Sequence, residues 1–299
     1  MYRIYDKKNL KNFETDIYNA TFTKMNEDLI ILSQQIRRDI LRMVHSVNSG
    51  HPGGSLGCVE FFVILYKKVL KYESSKDYND IFILSNGHIS PVYYSILART
   101  GHFELKELNT FRKINSRLQG HPTNHDGLPG INISSGSLGQ GLSVGIGVAL
   151  SKKIDKDDST VFVLTGDGEL QEGQNWEAFM FASAKRVDNI IVTVDYNGQQ
   201  IDGSTEDVLD LGNLKLKLEA FGWKVFEIID GNSLNEIYNV MIEAKNNLGK
   251  GSPIVILMKT VMGNGVDFMM HTHKWHGVAP NDEELEKALS QNPETLGDY

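Results

Sequence analysis

The sequence has a single cysteine, Cys58, so no disulfide can form within the chain, and this indicates a reducing compartment. It also has no apolar run approaching the roughly 20 residues that a membrane-spanning helix needs. The amino-terminal stretch "MYRIYDKKNLKNFETD" lacks the continuous apolar segment of a signal peptide. From these three absences we expect a cytoplasmic protein that does not bind a membrane.

Basic charge is also scarce, with 30 Lys and Arg against 38 Asp and Glu and a formal net charge of −8. Nucleic acids and anionic membrane surfaces favour a basic face, so this balance argues against both as partners, although it leaves room for a local anion pocket. Three absent motifs argue against two further kinds of site, a zinc site and a dinucleotide site. There is no H-E-x-x-H or C-x-x-C spacing of a zinc site, and no G-x-G-x-x-G of a dinucleotide site follows a predicted strand.

Apolar runs and amphipathic segments alternate from residue 160 onward. The runs "TVFVLT", "NIIVTVDY", "KVFEII" and "PIVILMKTV" predict strands, separated by helices near 173–185, 213–221 and 233–247. Continuous apolar strands that alternate with helices indicate a parallel sheet covered on both faces. We therefore expect an α/β fold, a doubly wound, mainly parallel sheet with helices on both faces.

The remainder of the chain adds an earlier strand at "DIFILS" and helices near 26–50, 58–70, 91–100 and from about 138. Asn26 is expected to cap the first of these helices and Gly50 to stop it. Residues 1–24 show no clean periodicity and are interpreted as an accessory arm. We expect one domain over residues 25–280, followed by an acidic helix and tail over 281–299.

Polar residues follow two of the predicted strands. Asp167 stands between two glycines in "GDGELQEG", and Asn197 follows the next strand in "VDYNGQQIDG". Carboxylate and amide oxygens at neighbouring strand ends are ligands that Mg²⁺ prefers, with phosphate oxygens and water completing its shell. Two unrelated βα turns would use the same residue types, so the pattern leaves a diphosphate–metal site and ordinary turns as alternatives.

Several of the nine histidines lie in glycine-rich turns at predicted element ends. They are His51 in "SGHPGGS", His88 in "SNGHIS", His121 in "QGHPT", and His271, His273 and His276 in "HTHKWHG". A single histidine is usually structural or solvated. In turns where the backbone can approach a ligand closely, histidines can also bind phosphate or transfer protons near neutral pH.

Taken together, "GDGELQEG", "DYNG", "NSGHPGGSLG", "LSNGH", "GHP", "SSGSLGQGLSVGIGVA" and "WHGVAPNDEE" resemble the thiamine-diphosphate half of a transketolase. The resemblance covers about residues 28–290 in the family's order. The "SGHPG" and "GHP" motifs distinguish transketolases from deoxyxylulose-phosphate synthases and from the E1 subunits of 2-oxoacid dehydrogenases. It implies the PP type of thiamine-diphosphate-binding domain and transfer of a two-carbon ketol unit from a ketose phosphate to an aldose phosphate.

The same resemblance implies a cofactor anchor. Asp167 and Asn197 would bind Mg²⁺ through their side chains and Gln199 through its carbonyl, with Ca²⁺ or Mn²⁺ as substitutes. Gly168 and His88 would contact the diphosphate of thiamine diphosphate. Asn197 is thereby counted both as a metal ligand and as a cofactor-binding residue.

The remaining roles are carried over in the same way. His273 would be a further diphosphate contact, if the "H-x-x-H-G" spacing is counted from His276, although "FMMHTHKWHG" departs from the common form of this loop. His51 and His121 would face the substrate, and together with His88 and His273 they make up the implied catalytic set.

Five further residues complete the set. Gly136, Leu138 and Ile201 would line the cofactor pocket. Glu172 and Glu177 match acidic residues at the interface between the two active sites of the dimer.

A complete transketolase is more than twice this length, and its second half supplies a pyrimidine-binding domain and a carboxy-terminal domain. The resemblance therefore implies a split enzyme in which this chain is the amino-terminal subunit, assembled as two of these chains with two partner chains. The expected function is pentose-phosphate transketolase. A split enzyme for another sugar, a non-catalytic cofactor-binding module and, least of all, a nicotinamide dehydrogenase are the alternatives.

Overall fold

The structure is a computed structural model that describes residues 7–72 and 79–299, with side chains from residue 27 onward. Its α-helices are α1 (Lys7–Ser46), α2 (Pro52–Gly57), α3 (Val59–Ile64), α4 (Ser90–Arg99), α5 (Gln140–Ile154), α6 (Gly173–Ala184), α7 (Thr205–Leu209), α8 (Leu214–Ala220), α9 (Leu234–Lys245) and α10 (Asp282–Gln291). Its strands are β1 (Ile81–Leu84), β2 (Val161–Gly166), β3 (Ile190–Asp195), β4 (Gln199–Gln200), β5 (Gly203–Ser204), β6 (Lys224–Ile228) and β7 (Ile254–Met258). Within these residues, no helix has both the length and the apolar character needed to cross a membrane.

The principal sheet contains β1, β2, β3, β7 and β6 in that order, and every neighbouring pair is parallel. The three central strands, β2, β3 and β7, are buried along their whole length except at Gly166. Their Val, Ile, Leu and Phe content is typical of parallel strands covered on both faces. The predicted fold class is thereby confirmed.

Alternate strand residues pack into two apolar cores, one on each face of the sheet. Phe162 and Leu164 of β2 join residues of α1, α3, α4 and α9 in one core. Val161 and Val163 join residues of α5, α6 and α8 in the other. Because successive side chains of a strand point to opposite faces, the strand geometry alone produces this division.

The first helix is longer than the sequence predicts. α1 runs from Lys7 to Ser46, so Asn26 lies inside it and does not cap it. The predicted arm over residues 1–24 therefore includes the first turns of α1, and residues 1–6 lie outside the described part of the chain. An interior asparagine costs a helix less than about 1 kcal/mol relative to alanine, which is too little to end a long helix.

The carboxyl ends of β2 and β3 lie side by side. Gly166 pairs with Asp195 in the sheet, and the Asp167 N–H donates to the Asp195 carbonyl oxygen at 3.1 Å. After β3 the chain passes to β6 at the edge of the sheet and returns to β7 in between, so its direction of winding reverses. Ligands of parallel α/β sheets bind outside the carboxyl ends of the strands, where β2 and β3 end side by side, and the reversal itself lies on the far side of β3.

The residues after α10 pack against α1 and α4, and one carboxylate, that of Asp298, bonds to three side chains of α1. Its oxygens accept hydrogen bonds from Gln35 (2.9 Å), from two nitrogens of Arg38 (2.9 and 2.7 Å) and from Arg42 (2.7 Å). The hydrogen bond from Arg38 is the main reason that the pKa of Asp298 falls to about 2.

Replacing Asp298 with asparagine should lower the free energy of unfolding by about 1–2 kcal/mol at pH 7, after allowance for partial solvent screening. The folded-state pKa is depressed, so this stabilisation is present above the unfolded pKa near 3.8 and disappears as the pH falls through about 2. Denaturant unfolding at pH 7 and pH 3 measures both effects. An equal difference at both pH values would contradict the role of the charge, and the exposed Glu219→Gln should leave stability unchanged at either pH.

Candidate cofactor and metal site

Asp167 is a buried carboxylate at the end of β2, with a side chain only 1% exposed. Its Oδ1 accepts a hydrogen bond from the Gly168 N–H at 2.8 Å, and its Oδ2 accepts one from the Gly198 N–H at 2.6 Å. These two bonds hold the carboxylate between the turn after β2 and the turn after β3. Each oxygen keeps a second lone pair for a ligand.

Asn197 is oriented by the neighbouring strand end. Its Nδ2 donates to Asp195 Oδ2 at 2.9 Å, and its Oδ1 accepts from the Gln199 N–H at 2.8 Å. Asp195, which is buried at the last position of β3, also accepts a hydrogen bond from the Thr260 hydroxyl. The amide oxygen of Asn197 is thus fixed on the same side as the Asp167 carboxylate.

The two buried carboxylates at these strand ends, those of Asp167 and Asp195, favour a bound cation. Burial raises the pKa of Asp167 to about 8, with a further contribution from the negative charge of Asp195, and burial raises the pKa of Asp195 as well. Among the described residues, no Lys or Arg forms an ion pair or a hydrogen bond with either carboxylate. A divalent cation would supply the missing positive charge and would favour the ionised form of both.

The donor set is that of a hard cation. The described residues contain no group of three or more His, Cys, Asp or Glu side chains that could hold a metal ion. A carboxylate, an amide oxygen and a backbone carbonyl are instead ligands that suit Mg²⁺ or Ca²⁺, which also take phosphate oxygens and water.

These groups line a cavity of about 250 Å³. Ten of the predicted site residues line it, namely His51, His88, His121, Gly136, Leu138, Asp167, Gly168, Asn197, Gln199 and Ile201. Residues from the loop before α2, the end of β1, the loop before α5 and the ends of β2 and β3 therefore come together, although they are far apart in the sequence.

Three imidazoles form a cluster in the cavity wall. The ring centroids are 5.0 Å apart for His51 and His88, 5.1 Å for His88 and His276, and 5.7 Å for His51 and His276. Burial is the main reason that the pKa of His51 falls to about 4 and that the pKa values of His88 and His276 also fall. These rings are therefore neutral at pH 7, and each can donate one hydrogen bond and accept another.

Some polar atoms in the cavity wall have no partner within the described protein. Nδ1 of His51, Nδ1 of His276 and Oδ1 of Asn86 are buried and make no hydrogen bond. Because buried polar atoms in native proteins nearly always have partners, these three indicate that a polar ligand or water belongs in the cavity.

His121 reaches the cavity differently, because it is more exposed and packs against Gly136. A Cβ atom on Gly136 would lie 3.0 Å from Cγ of His121, and Gly136 has a φ of +143°. Both the close approach and the backbone conformation require glycine at this position.

The structure does not bring His273 to the cavity. His273 is exposed at the start of the short 3₁₀ turn His273–Trp275, whereas His276, at the end of that turn, lines the cavity. Trp275 is buried against Phe268, and this anchors the turn so that His276 rather than His273 faces the other histidines. We therefore replace His273 by His276 in the set of candidate residues.

Sequence reasoning missed Asn86, Glu169, Asp195 and Gln200, all of which line the cavity. Asn86 and Asp195 stand beside residues that were identified, in "LSNGH" and "VDYN", and their position at strand ends was a usable signal. Glu169 gave no such signal, because glutamate in a turn is ordinarily solvated.

Glu172 and Glu177 lie outside the cavity and are exposed. Glu177 is on α6, where it borders an apolar groove between α5 and α6 that also contains Ile146, Met180 and Phe181. Met180 is 59% exposed and Phe181 46% exposed, so this face presents large apolar side chains to solvent.

The profile of the family described as "Transketolase, thiamine diphosphate binding domain" matches residues 31–294. This chain belongs to the transketolase family. The match covers the whole cavity and every strand of the principal sheet.

Similar proteins include both single-chain and subunit forms of transketolase. An apulose-4-phosphate transketolase subunit from Actinobacillus succinogenes is 35% identical over 278 residues, which are 92% of this chain and 98% of that protein. The 6-deoxy-6-sulfo-D-fructose transketolase subunit SqwG of Clostridium sp. strain MSTE9 is 36% identical over 273 residues, 89% of this chain and 98% of that protein. The solved transketolase of Leishmania mexicana superposes with a TM-score of 0.83 at 28% identity, over 90% of this chain and 42% of that one.

Proposed function

We propose that this chain is the thiamine-diphosphate-binding, amino-terminal subunit of a two-subunit transketolase. In this reaction a two-carbon ketol unit passes from a ketose phosphate to an aldose phosphate. The observation that carries the proposal is the cavity at the ends of β2 and β3, where a carboxylate and amide corner adjoins a cluster of neutral histidines. The matching family is described as binding thiamine diphosphate, and the groups that line the cavity suit this cofactor.

The corner formed by Asp167 and Asn197 would hold Mg²⁺, together with the carbonyl of Gln199. Ca²⁺ or Mn²⁺ could take the same oxygen ligands. The two buried carboxylates without a basic partner support a cation here. The metal would serve to anchor the diphosphate, whose oxygens would complete its coordination shell.

The diphosphate would be contacted by the Gly168 backbone and by His88 and His276, with His276 in the place first assigned to His273. Gly136, Leu138 and Ile201 would line the cofactor pocket. When bound, thiamine diphosphate supplies the electron sink that carbon–carbon bond cleavage requires.

His51 and His121 would face the sugar. Because burial lowers the pKa of both rings, they are neutral at pH 7, so each can accept a proton from one substrate hydroxyl and donate one to another. Their contribution would be to orient the hydroxyl groups and move protons.

A partner chain is part of this proposal. Relatives that this chain matches over 98% of their length are named as subunits, and the single-chain transketolases extend well beyond it. The partner would carry the pyrimidine-binding and carboxy-terminal domains, in an assembly of two copies of each chain. The exposed apolar groove between α5 and α6, with Glu177 at its border and Glu172 at the start of that helix, supports an interface on this face.

The sugar specificity separates two candidate functions. Ordinary pentose-phosphate transketolase was expected from the sequence, whereas the similar subunits are named for apulose 4-phosphate and for a sulfofructose. A reconstituted pair tested with xylulose 5-phosphate, apulose 4-phosphate and 6-deoxy-6-sulfofructose as ketol donors would decide between them. Turnover with none of the three, under conditions where the cofactor is bound, would favour a non-catalytic cofactor-binding module.

A further inference from the structure

Glu169 lines the cavity but has no role in the function proposed above. It belongs to the short turn Gly168–Gln171, two residues after Asp167, and it is only 2% exposed. No Lys or Arg in the described residues forms an ion pair with it. A buried carboxylate without a cation is costly unless its oxygens are satisfied by hydrogen bonds.

Hydrogen bonds from three separate segments satisfy it. Oε1 accepts from the Gly139 N–H at 2.7 Å and from the Ser85 hydroxyl, and Oε2 accepts from the Gly166 N–H at 3.1 Å. The backbone of Glu169 is held in turn, since Asn175 Nδ2 donates to its carbonyl oxygen at 2.7 Å. The backbone of Glu169 is therefore fixed by Asn175, and its carboxylate in turn holds the three segments in place.

Each of the three segments supplies part of the cavity wall. Ser85 directly follows β1 and precedes Asn86, with His88 two residues further on. Gly139 follows Gly136 and Leu138 at the start of α5, and the Gly166 peptide precedes Asp167.

The segments also touch each other closely beside the carboxylate. A Cβ atom on Gly141, in the first turn of α5, would lie 2.4 Å from the Ser85 hydroxyl oxygen. The first turn of α5 therefore packs directly against Ser85 at the end of β1, and Glu169 accepts hydrogen bonds from Ser85 and from Gly139, just before α5.

From this geometry we propose that Glu169 is a positioning residue. Its carboxylate fixes the end of β1, the loop before α5 and the end of β2 relative to one another, and so sets the shape of the cofactor cavity. The proposal rests on the proposed function for the identity of the cofactor. The hydrogen bonds themselves can be tested without it.

Only a carboxylate matches the three donors. Glutamine has one acceptor oxygen, so its NH₂ group must face the N–H of Gly166 or of Gly139. Alanine would leave all three donors without a partner, and such a variant could fail to fold. Glu169→Gln is therefore the primary test, and Ser85→Ala, which removes one donor and leaves the carboxylate, is the milder second variant.

The experiment uses this chain in complex with its partner chain. Hydrogen exchange is measured by mass spectrometry on peptides that contain Gly139 and Gly166, and thiamine diphosphate affinity is measured in excess Mg²⁺. In Glu169→Gln we expect exchange at one or both amides to rise about tenfold and cofactor affinity to fall about tenfold, which is what one lost charged hydrogen bond is worth. At saturating cofactor, kcat should stay within about twofold of the original value, because Glu169 does not touch the reacting atoms.

Ser85→Ala should change exchange and affinity in the same direction by a smaller factor, and the exposed Glu243→Gln should change neither. Unchanged exchange in Glu169→Gln, or faster exchange with unchanged cofactor affinity, would overturn the role of Glu169. If the original complex itself did not bind thiamine diphosphate, the proposed function would fail, and the cofactor part of this proposal with it. Hydrogen exchange does not depend on the identity of the cofactor, so it distinguishes a failure of the positioning role of Glu169 from a failure of the proposed function.

Discussion

Replacing Asp167 with alanine should weaken Mg²⁺-dependent binding of thiamine diphosphate by at least about 100-fold, because the only charged ligand of the proposed metal site is lost. The remaining ligands, an amide oxygen and a carbonyl oxygen, are neutral and cannot balance a divalent cation. Calorimetric titration of the complex with thiamine diphosphate, with Mg²⁺ and then with a chelator, measures the effect. In the original protein the chelator should remove the same affinity that the substitution removes.

Loss of structure would mimic this result, so a shape-matched variant is needed. Asp167→Asn keeps the volume of the side chain and replaces a buried carboxyl group whose pKa is raised to about 8 by a neutral amide. Its melting temperature should therefore stay within a few degrees of the original, while cofactor binding is still lost. The exposed Glu243→Gln on α9 is the control for a distant loss of negative charge, and it should bind the cofactor normally. Unchanged affinity in Asp167→Ala would remove the metal assignment.

Alanine at His51 or at His121 should have the opposite pattern, with cofactor binding retained and kcat lowered by about 10²–10⁴-fold. Both rings line the cavity, and neither is assigned to the metal or the diphosphate. Cofactor affinity by calorimetry and single-turnover rates with a ketose phosphate separate the two effects.

His125 provides a matched control, since it lies in the same loop as His121, is exposed and does not line the cavity. His125→Ala should turn over normally. An alanine variant of His51 or His121 with a normal rate would show that this histidine is structural, and a variant that loses the cofactor would place it with the diphosphate contacts instead.

The strands and the side-by-side position of Asp167 and Asn197 could be predicted from sequence because both depend on local signals. β2, β3 and β7 are continuous apolar runs bounded by turn residues, and runs of this kind form strands of a parallel sheet covered on both faces. Once the strands are placed, the side-by-side position of Asp167 and Asn197 follows from the geometry of parallel strands. The register of Gly166 with Asp195 confirms that the two strands are neighbours.

Other features depended on tertiary packing that no local pattern encodes. His276 rather than His273 faces the cavity because Trp275 is buried, which only the packing of that turn reveals. Glu169 accepts hydrogen bonds from three segments, two of which, at Ser85 and Gly139, are remote from it in sequence. The continuation of α1 through Asn26 likewise contradicts the local capping signal. For α1, an interior asparagine costs less than about 1 kcal/mol relative to alanine, which is too little to end the helix.

The most direct test of the central proposal is ketol transfer by this chain, by its partner chain and by their mixture, each with thiamine diphosphate and Mg²⁺. The partner to use is a separately encoded chain that carries a pyrimidine-binding domain. We expect negligible turnover from either chain alone and robust transfer from the mixture, with both chains eluting together in size-exclusion chromatography. Robust turnover by this chain alone would contradict the proposal that it is one subunit of a two-chain transketolase.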